Sequence, residues 1–274
     1  MKSILSVALL FFSSVVFAQT AMNSTSPASD TSGFYNKPVH RQMDSIAVYS
    51  STMPAHVRST YAPWIVPATL IGYGFFATRI DAFTDVNEDV QHHIWVAHPH
   101  KTTGIDNILP FVPAAAVYGL NIAGIKGEHD LFDRSMILFL SGAITGISSL
   151  TVKSITHENR PDHSAYNSFP SGHTAAAFAT AEFLMQEYKH QSVWYGIGGY
   201  VVAASVGYLR LYNNKHWVND VVAGAGFGIA STRLAYLLYP KISKALSKTK
   251  FRHSMIVPYY QNNSAGLSLT YQFQ

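Results

Sequence analysis

The chain has 274 residues, of which 12% are charged and 48% hydrophobic, with a net charge of +4 and no cysteine. A charged fraction this far below the ordinary value of about 25% points to a membrane-embedded or very helix-rich protein, and the missing cysteines exclude disulfide and thiolate chemistry. No basic run with interleaved aromatics speaks for a nucleic-acid partner; the basic excess gathers after Pro240, in Lys241, Lys244, Lys248, Lys250 and Arg252, like a membrane-flanking cluster.

In chain order, Met1-Lys2, the apolar run 4–17 and Val16-Phe17-Ala18 before Gln19 read as a secretory signal peptide over residues 1–18. Residues 19–60 are rich in Ser, Thr, Asn and Pro and read as a flexible segment, with one chance of a short helix at 40–49. Six apolar segments follow, at 62–78, 107–125, 135–152, 172–185, 193–209 and 221–239. All are rich in Ala, Gly and Ser, which let helices approach closely. The fourth carries Glu182 and the sixth Arg233. The pattern predicts an all-α bundle of about six apolar helices over residues 61–240, with buried helices of a soluble domain as the competing account. Residues 241–274 read as a basic segment followed by two short strands around an Asn/Gly turn; one hairpin cannot close a barrel.

The connection 79–106 holds Asp81, Asp85, Glu88, Asp89 and Asp106 against Arg79 and Lys101, which places it outside the membrane and the lysines after Pro240 inside. A cleaved signal peptide conflicts with this if 62–78 spans, so one of three conditions holds: 62–78 does not cross, the N-terminus stays uncleaved, or the domain is soluble. His92, His93, His98 and His100 lack the spacing of a metal site and read as part of a solvated loop.

Three polar clusters interrupt the apolar sequence between residues 153 and 220. His216 and Asp220, four apart at a helix opening, can share a face, so the carboxylate can orient the imidazole and leave its other nitrogen free as a nucleophile toward phosphorus. Taken alone, the pair is better read as a helix-terminal hydrogen bond without chemistry. Pro170-Ser171-Gly172-His173 precedes an Ala-rich run: Ser171 can cap a helix whose free N–H groups face an anion, and Gly172 lets backbone approach it. His173 at the same mouth can protonate a leaving alkoxide. Lys153, Arg160 and Arg210 supply one point charge and two planar forks suited to phosphoryl oxygens.

Lys153-x6-Arg160-Pro161, Pro170-Ser171-Gly172-His173 and Arg210-x5-His216-x3-Asp220 together resemble the signature of the type 2 phosphatidic acid phosphatase and vanadium haloperoxidase superfamily, over residues 135–240. The resemblance implies that Lys153, Arg160, Arg210, Ser171 and Gly172 bind phosphate. It implies that His173 is the general acid, that His216 forms a phosphohistidine, and that Asp220 orients it. No metal or other cofactor is implied. Leu209 stands where the family commonly has Ser, and Asn214 where Gly is common; Asn, like Gly, tolerates a left-handed backbone. The expected function is a phosphatase for a lipid phosphate or diphosphate in a bacterial cell envelope, membrane-associated, with its site facing the periplasm. The alternatives are an exported soluble acid phosphatase of the same superfamily, a vanadium haloperoxidase, and an envelope binding protein without turnover.

Overall fold

A computed structural model describes residues 61–247, 254–261 and 264–271; the expected signal peptide at 1–18 and the whole of the 19–60 segment lie outside the described residues. The chain divides into two compact units, Met1–Val66 and Pro67–Gln274. Helix α1 (Ala62–Ala77) runs through the boundary, and the second unit continues with α2 (Asp81–Gln91) and a π-helical turn at His92–Val96. Two 3-10 turns, Ile105–Asn107 and Leu109–Phe111, lead into α3 (Val112–Ile122). Then come α4 (Leu131–Thr156), α5 (Gly172–Tyr188), α6 (Val193–Tyr212) and α7 (Val218–Ser247). Strands β1 (Ser254–Gln261) and β2 (Ser264–Tyr271) pair antiparallel, Ser254 opposite Tyr271. All six predicted apolar segments are helical, in keeping with an all-α fold carrying a terminal hairpin.

Local chemistry sets the helix ends. Asp130 caps α4 by accepting from Asp133 N at 2.8 Å, and its charge suits the positive end of the helix dipole. At the other end His157 adopts a left-handed conformation, φ 48°, and turns the chain out of the helix. The final helix does not stop at Pro240, which lies within it; α7 runs on to Ser247 and includes Lys241 and Lys244. The connection 79–106 departs from the solvated loop expected of it, since most of it is helix or turn. His100 stacks on Tyr212 with ring centroids 3.7 Å apart.

Helix α5 is the hub, packed against α3, α4, α6 and α7 and buried along most of its length. Its alanines make that possible, because backbones must come close where no water competes. A side chain at Gly224 would meet Ser171 O at 2.6 Å, and one at Gly228 would strike the Ala175 carbonyl. At the far end Val117, Ile137, Phe183, Leu184, Tyr188 and Ala235 form a common apolar cluster. Buried charges are paired there: Arg233 Nε lies 2.8 Å from Glu182 Oε1, and Arg134 Nε 3.1 Å from Glu187 Oε2. The two charges that interrupt the fourth and sixth segments therefore neutralise each other, as burial demands. Tyr200 and Tyr236 donate to the same two carboxylates.

Three helical stretches, Ile105–Ile122, Leu131–Thr156 and Val218–Ala245, are long and apolar enough to cross a membrane by length and composition. Because α4 to α7 alternate in direction, the end of α4, the start of α5, the end of α6 and the start of α7 share one end of the bundle. That end holds all three polar clusters.

Candidate active site

The turn after α6 delivers the central histidine. Asn213 and Asn214 close the helix, with Asn214 at φ 54°, the left-handed conformation expected of it, and Lys215 N bonded back to Arg210 O at 3.0 Å. The chain then reverses, so that His216 sits just before α7 and Asp220 lies in its first turn. His216 Nδ1 is 3.3 Å from Asp220 Oδ2, and both residues are buried. The same oxygen accepts from Trp217 N at 2.8 Å and from Ser168 Oγ at 2.5 Å, while Oδ1 is buried without a protein partner. With Nδ1 turned to the carboxylate, Nε2 of His216 is the nitrogen left for chemistry.

Ser171 caps α5 as its position predicts, accepting from Thr174 N at 3.5 Å and from Thr174 Oγ1 at 3.0 Å. Its own N–H donates to Asp220 O at 3.0 Å, which ties the second cluster to the third. A side chain added at Gly172 would meet nothing within 4 Å, so the helix mouth is open there. His173, in the first turn, places Nε2 3.0 Å from Asn107 Oδ1.

The cations close the arrangement. Lys153 Nζ donates to the carbonyls of Asn167 and of Ser168, the latter at 3.2 Å, holding the strand of chain that leads to the cap. Arg160 is fixed in a tight turn by its N–H to Ala165 O at 3.0 Å and by His163 N to its carbonyl at 2.9 Å. Arg210 pairs through Nη1 with Asp106. Nε of Arg160 and Nε of Arg210 are both buried and have no partner in the protein. Two desolvated guanidinium N–H groups left open beside a helix mouth are what a tetrahedral oxyanion satisfies.

Electrostatics fit a neutral nucleophile. Burial, and then the charges of Arg210, Lys153 and Arg160, hold the His216 imidazole well below its ordinary value, so its lone pair is available. Glu158 accepts from Asn219 Nδ2 at 3.3 Å; burial, followed by the charge of Asp220, pushes its carboxyl up to about 7. Burial also raises the Asp162 carboxyl, but hydrogen bonds from Lys215 and Ser164 outweigh that and hold it down at about 2.

All eight residues singled out in the sequence come together at this end of the bundle. Several that the sequence did not single out join them. Asp106 and Asn107 reach Arg210 and His173 from the 3-10 turn, and Asn213 bridges Asp106 to Thr103. Ser168 lies between His216 and Asp220. A lone carboxylate at the head of an apolar run was the one available signal for Asp106; the others carry none. Among the described residues no group of three or more His, Asp or Glu side chains is placed to hold a metal ion.

One end of this all-α bundle thus gathers two arginines, a lysine and a histidine oriented by a carboxylate, a set of groups suited to an oxyanion. Residues 134–244 match the PAP2 superfamily. The lipid A 1-phosphatase of Porphyromonas gingivalis is 39% identical over 135 residues, covering 49% of this chain and 30% of that protein. The bacitracin transport permease protein BcrC of Bacillus licheniformis is 33% identical over 98 residues, covering 36% of this chain and 43% of that one. The chain thus spans less than half the length of the curated relatives it matches. The crystal structure of Aquifex aeolicus LpxE aligns with a TM-score of 0.43 at 21% identity, covering 56% of this chain and 95% of that one.

Proposed function

We propose that this protein is a phosphatase that hydrolyses a lipid phosphate or diphosphate through a phosphohistidine on His216, without a metal ion. The observation that carries the reading is the buried His216–Asp220 pair beside two arginines whose buried Nε groups lack protein partners. The phosphoryl group sits between Lys153, Arg160, Arg210 and the N–H groups at the start of α5, which neutralise its oxygens as charge shifts in the transition state. His216 Nε2 attacks phosphorus; the bond to the leaving oxygen breaks, and His173 gives that oxygen its proton. Asp220 stabilises the charge left on the His216 ring. In the second half, His173 takes a proton from water, the water oxygen bonds to phosphorus, and the P–N bond breaks to release inorganic phosphate and restore both imidazoles.

Membrane placement supports a lipid substrate. Three helical stretches meet the requirements for crossing a bilayer, and Phe132, Phe139, Ile147, Leu150 and Ile155 expose a row of large apolar side chains along α4. The relative from P. gingivalis carries the name of a lipid A phosphatase. The acidic 79–106 connection favours a site on the exterior, periplasmic face.

The test is phosphate release by detergent-purified full-length protein in EDTA, from dioctanoyl phosphatidate, phosphatidylglycerophosphate, undecaprenyl diphosphate and lipid A. Release from at least one substrate is expected, and His216→Ala reduces it to background while leaving the thermal unfolding transition in place. Inactivity of the wild type on all four, or full activity of the variant, sinks the reading.

A further inference from the structure

The assignment of His173 as the acid leaves a question the three polar clusters do not answer: what holds its ring before a leaving group arrives. The cap residue Ser171 fixes the backbone of the first turn of α5 but does not touch the imidazole. The contact to the ring comes from elsewhere. Asn107, sixty-six residues earlier in the chain, places Oδ1 3.0 Å from His173 Nε2. A carboxamide oxygen only accepts, so the nitrogen facing it carries the proton. Asn107 is the last residue of the 3-10 turn Ile105–Asn107, whose middle residue, Asp106, is buried and paired with Arg210 and Asn213. The turn is therefore anchored to the phosphate-binding arginine on one side and presents Asn107 to the acid on the other.

We propose that Asn107 is a positioning residue for the leaving-group half of the reaction: it holds the His173 proton on Nε2 and gives up that contact to the oxygen of the departing alcohol. The inference rests on the phosphatase reading above. Asn107 is exposed, unlike Asp106 beside it, so its carboxamide stands where a leaving group arrives from outside. The charged groups that bear on His173 are Arg210, Asp106, Arg160 and Lys153. None of them hydrogen-bonds to its ring, whereas Asn107 does.

A group that acts by orienting an acid matters in proportion to how much the leaving oxygen needs a proton. An alkyl phosphate departs as an alkoxide and depends on it; p-nitrophenyl phosphate departs as a stabilised phenolate and does not. The experiment measures kcat/KM of the full-length protein in detergent on dioctanoyl phosphatidate and on p-nitrophenyl phosphate, for wild type, Asn107→Ala, Asn107→Asp and His216→Ala. Asn107→Ala is expected to lower the alkyl-to-aryl ratio about tenfold, the size expected from one lost orienting hydrogen bond. Asn107→Asp, which keeps an acceptor oxygen and adds a charge that favours the protonated ring, restores most of the ratio and moves the alkaline limb of the pH profile upward. Equal losses on both substrates, or none on either, identify a purely structural contact and overturn the inference alone. Retained activity in His216→Ala overturns the phosphohistidine reading on which the inference rests, and the inference with it.

Discussion

Burial, and then the charge of Asp220, raise the Glu158 carboxyl from its ordinary 4.5 to about 7, and the sign of the consequence is fixed by linkage. Between those two values the folded protein keeps a proton that the unfolded chain has lost. Stability therefore falls as pH rises through this window and levels off above it. Glu158→Gln cannot titrate, yet its amide oxygen can still accept from Asn219 Nδ2. The variant should gain Tm relative to wild type between pH 4.5 and pH 7.5, at about 2–4 °C per kcal/mol for a chain of this size. Thermal unfolding in detergent at the two pH values measures it, and a constant difference between variant and wild type refutes the account. Glu158 also shows what spacing cannot convey. His216 and Asp220 were legible because four residues at a helix opening put them on one face, and Ser171 because caps have a local signature. Asn214 was legible because few residues tolerate its φ. Glu158 meets Asn219 across sixty-one residues, and Asn107 meets His173 across sixty-six, so no local periodicity announces either contact.

Among the elements, the contact of α7 with the start of α5 joins folding to chemistry. Gly224 lies against Ser171 O and Thr174 Cβ, the residues that form the cap at the mouth of α5. Its lack of a side chain is therefore a condition of the site's geometry as well as of packing. In contrast, a side chain at Gly146 of α4 would meet nothing within 4 Å. Gly224→Ala should cost stability by forced separation of the helices, about 1–3 kcal/mol, and lower activity further than that loss explains. Gly146→Ala should leave activity intact and match or exceed wild-type stability, since alanine is the better helix former. Unfolding and phosphate release measured on both variants decide the matter; equal effects at the two positions refute the packing argument. The Ala- and Gly-rich composition forecast close helix approach. It did not say which glycine meets which carbonyl, because that depends on the register between α5 and α7, set by contacts some fifty residues apart. The connection 79–106 was misread for a related reason. Its polar sequence looks solvated, but Asn87, Gln91 and Thr103 spend their hydrogen-bonding groups on Asn219, Asn214 and Asn213.

At the scale of the molecule, the alternating helices make sidedness a single question, because the three polar clusters share one end of the bundle and the α5–α6 connection lies at the other. The chain has no cysteine, so single cysteines report position without background. Tyr166, between the first two clusters, and His190, between α5 and α6, are both exposed. The 26 residues of α4 extend about 39 Å, more than the hydrocarbon thickness of about 30 Å. Helix α5 is shorter, at 17 residues, but runs antiparallel beside it and brings the chain back. If the bundle spans, Tyr166→Cys and His190→Cys must face opposite compartments. The acidic 79–106 connection packs at the end that holds Tyr166, while Lys189 lies beside His190, so charge places Tyr166 outside. A membrane-impermeant maleimide should therefore label Tyr166→Cys in cells with a permeabilised outer membrane, and His190→Cys only in inverted vesicles. Labelling of both from one side would mean that α4 and α5 do not cross, and the lipid-facing role of Phe139, Ile147 and Leu150 would fall with it. Reversed labelling would keep the spanning bundle and turn the three polar clusters toward the cytoplasm. That is the arrangement a cleaved signal peptide followed by a crossing first segment would demand, so the same two cysteines decide between the charge of the loops and the reading of the N-terminus.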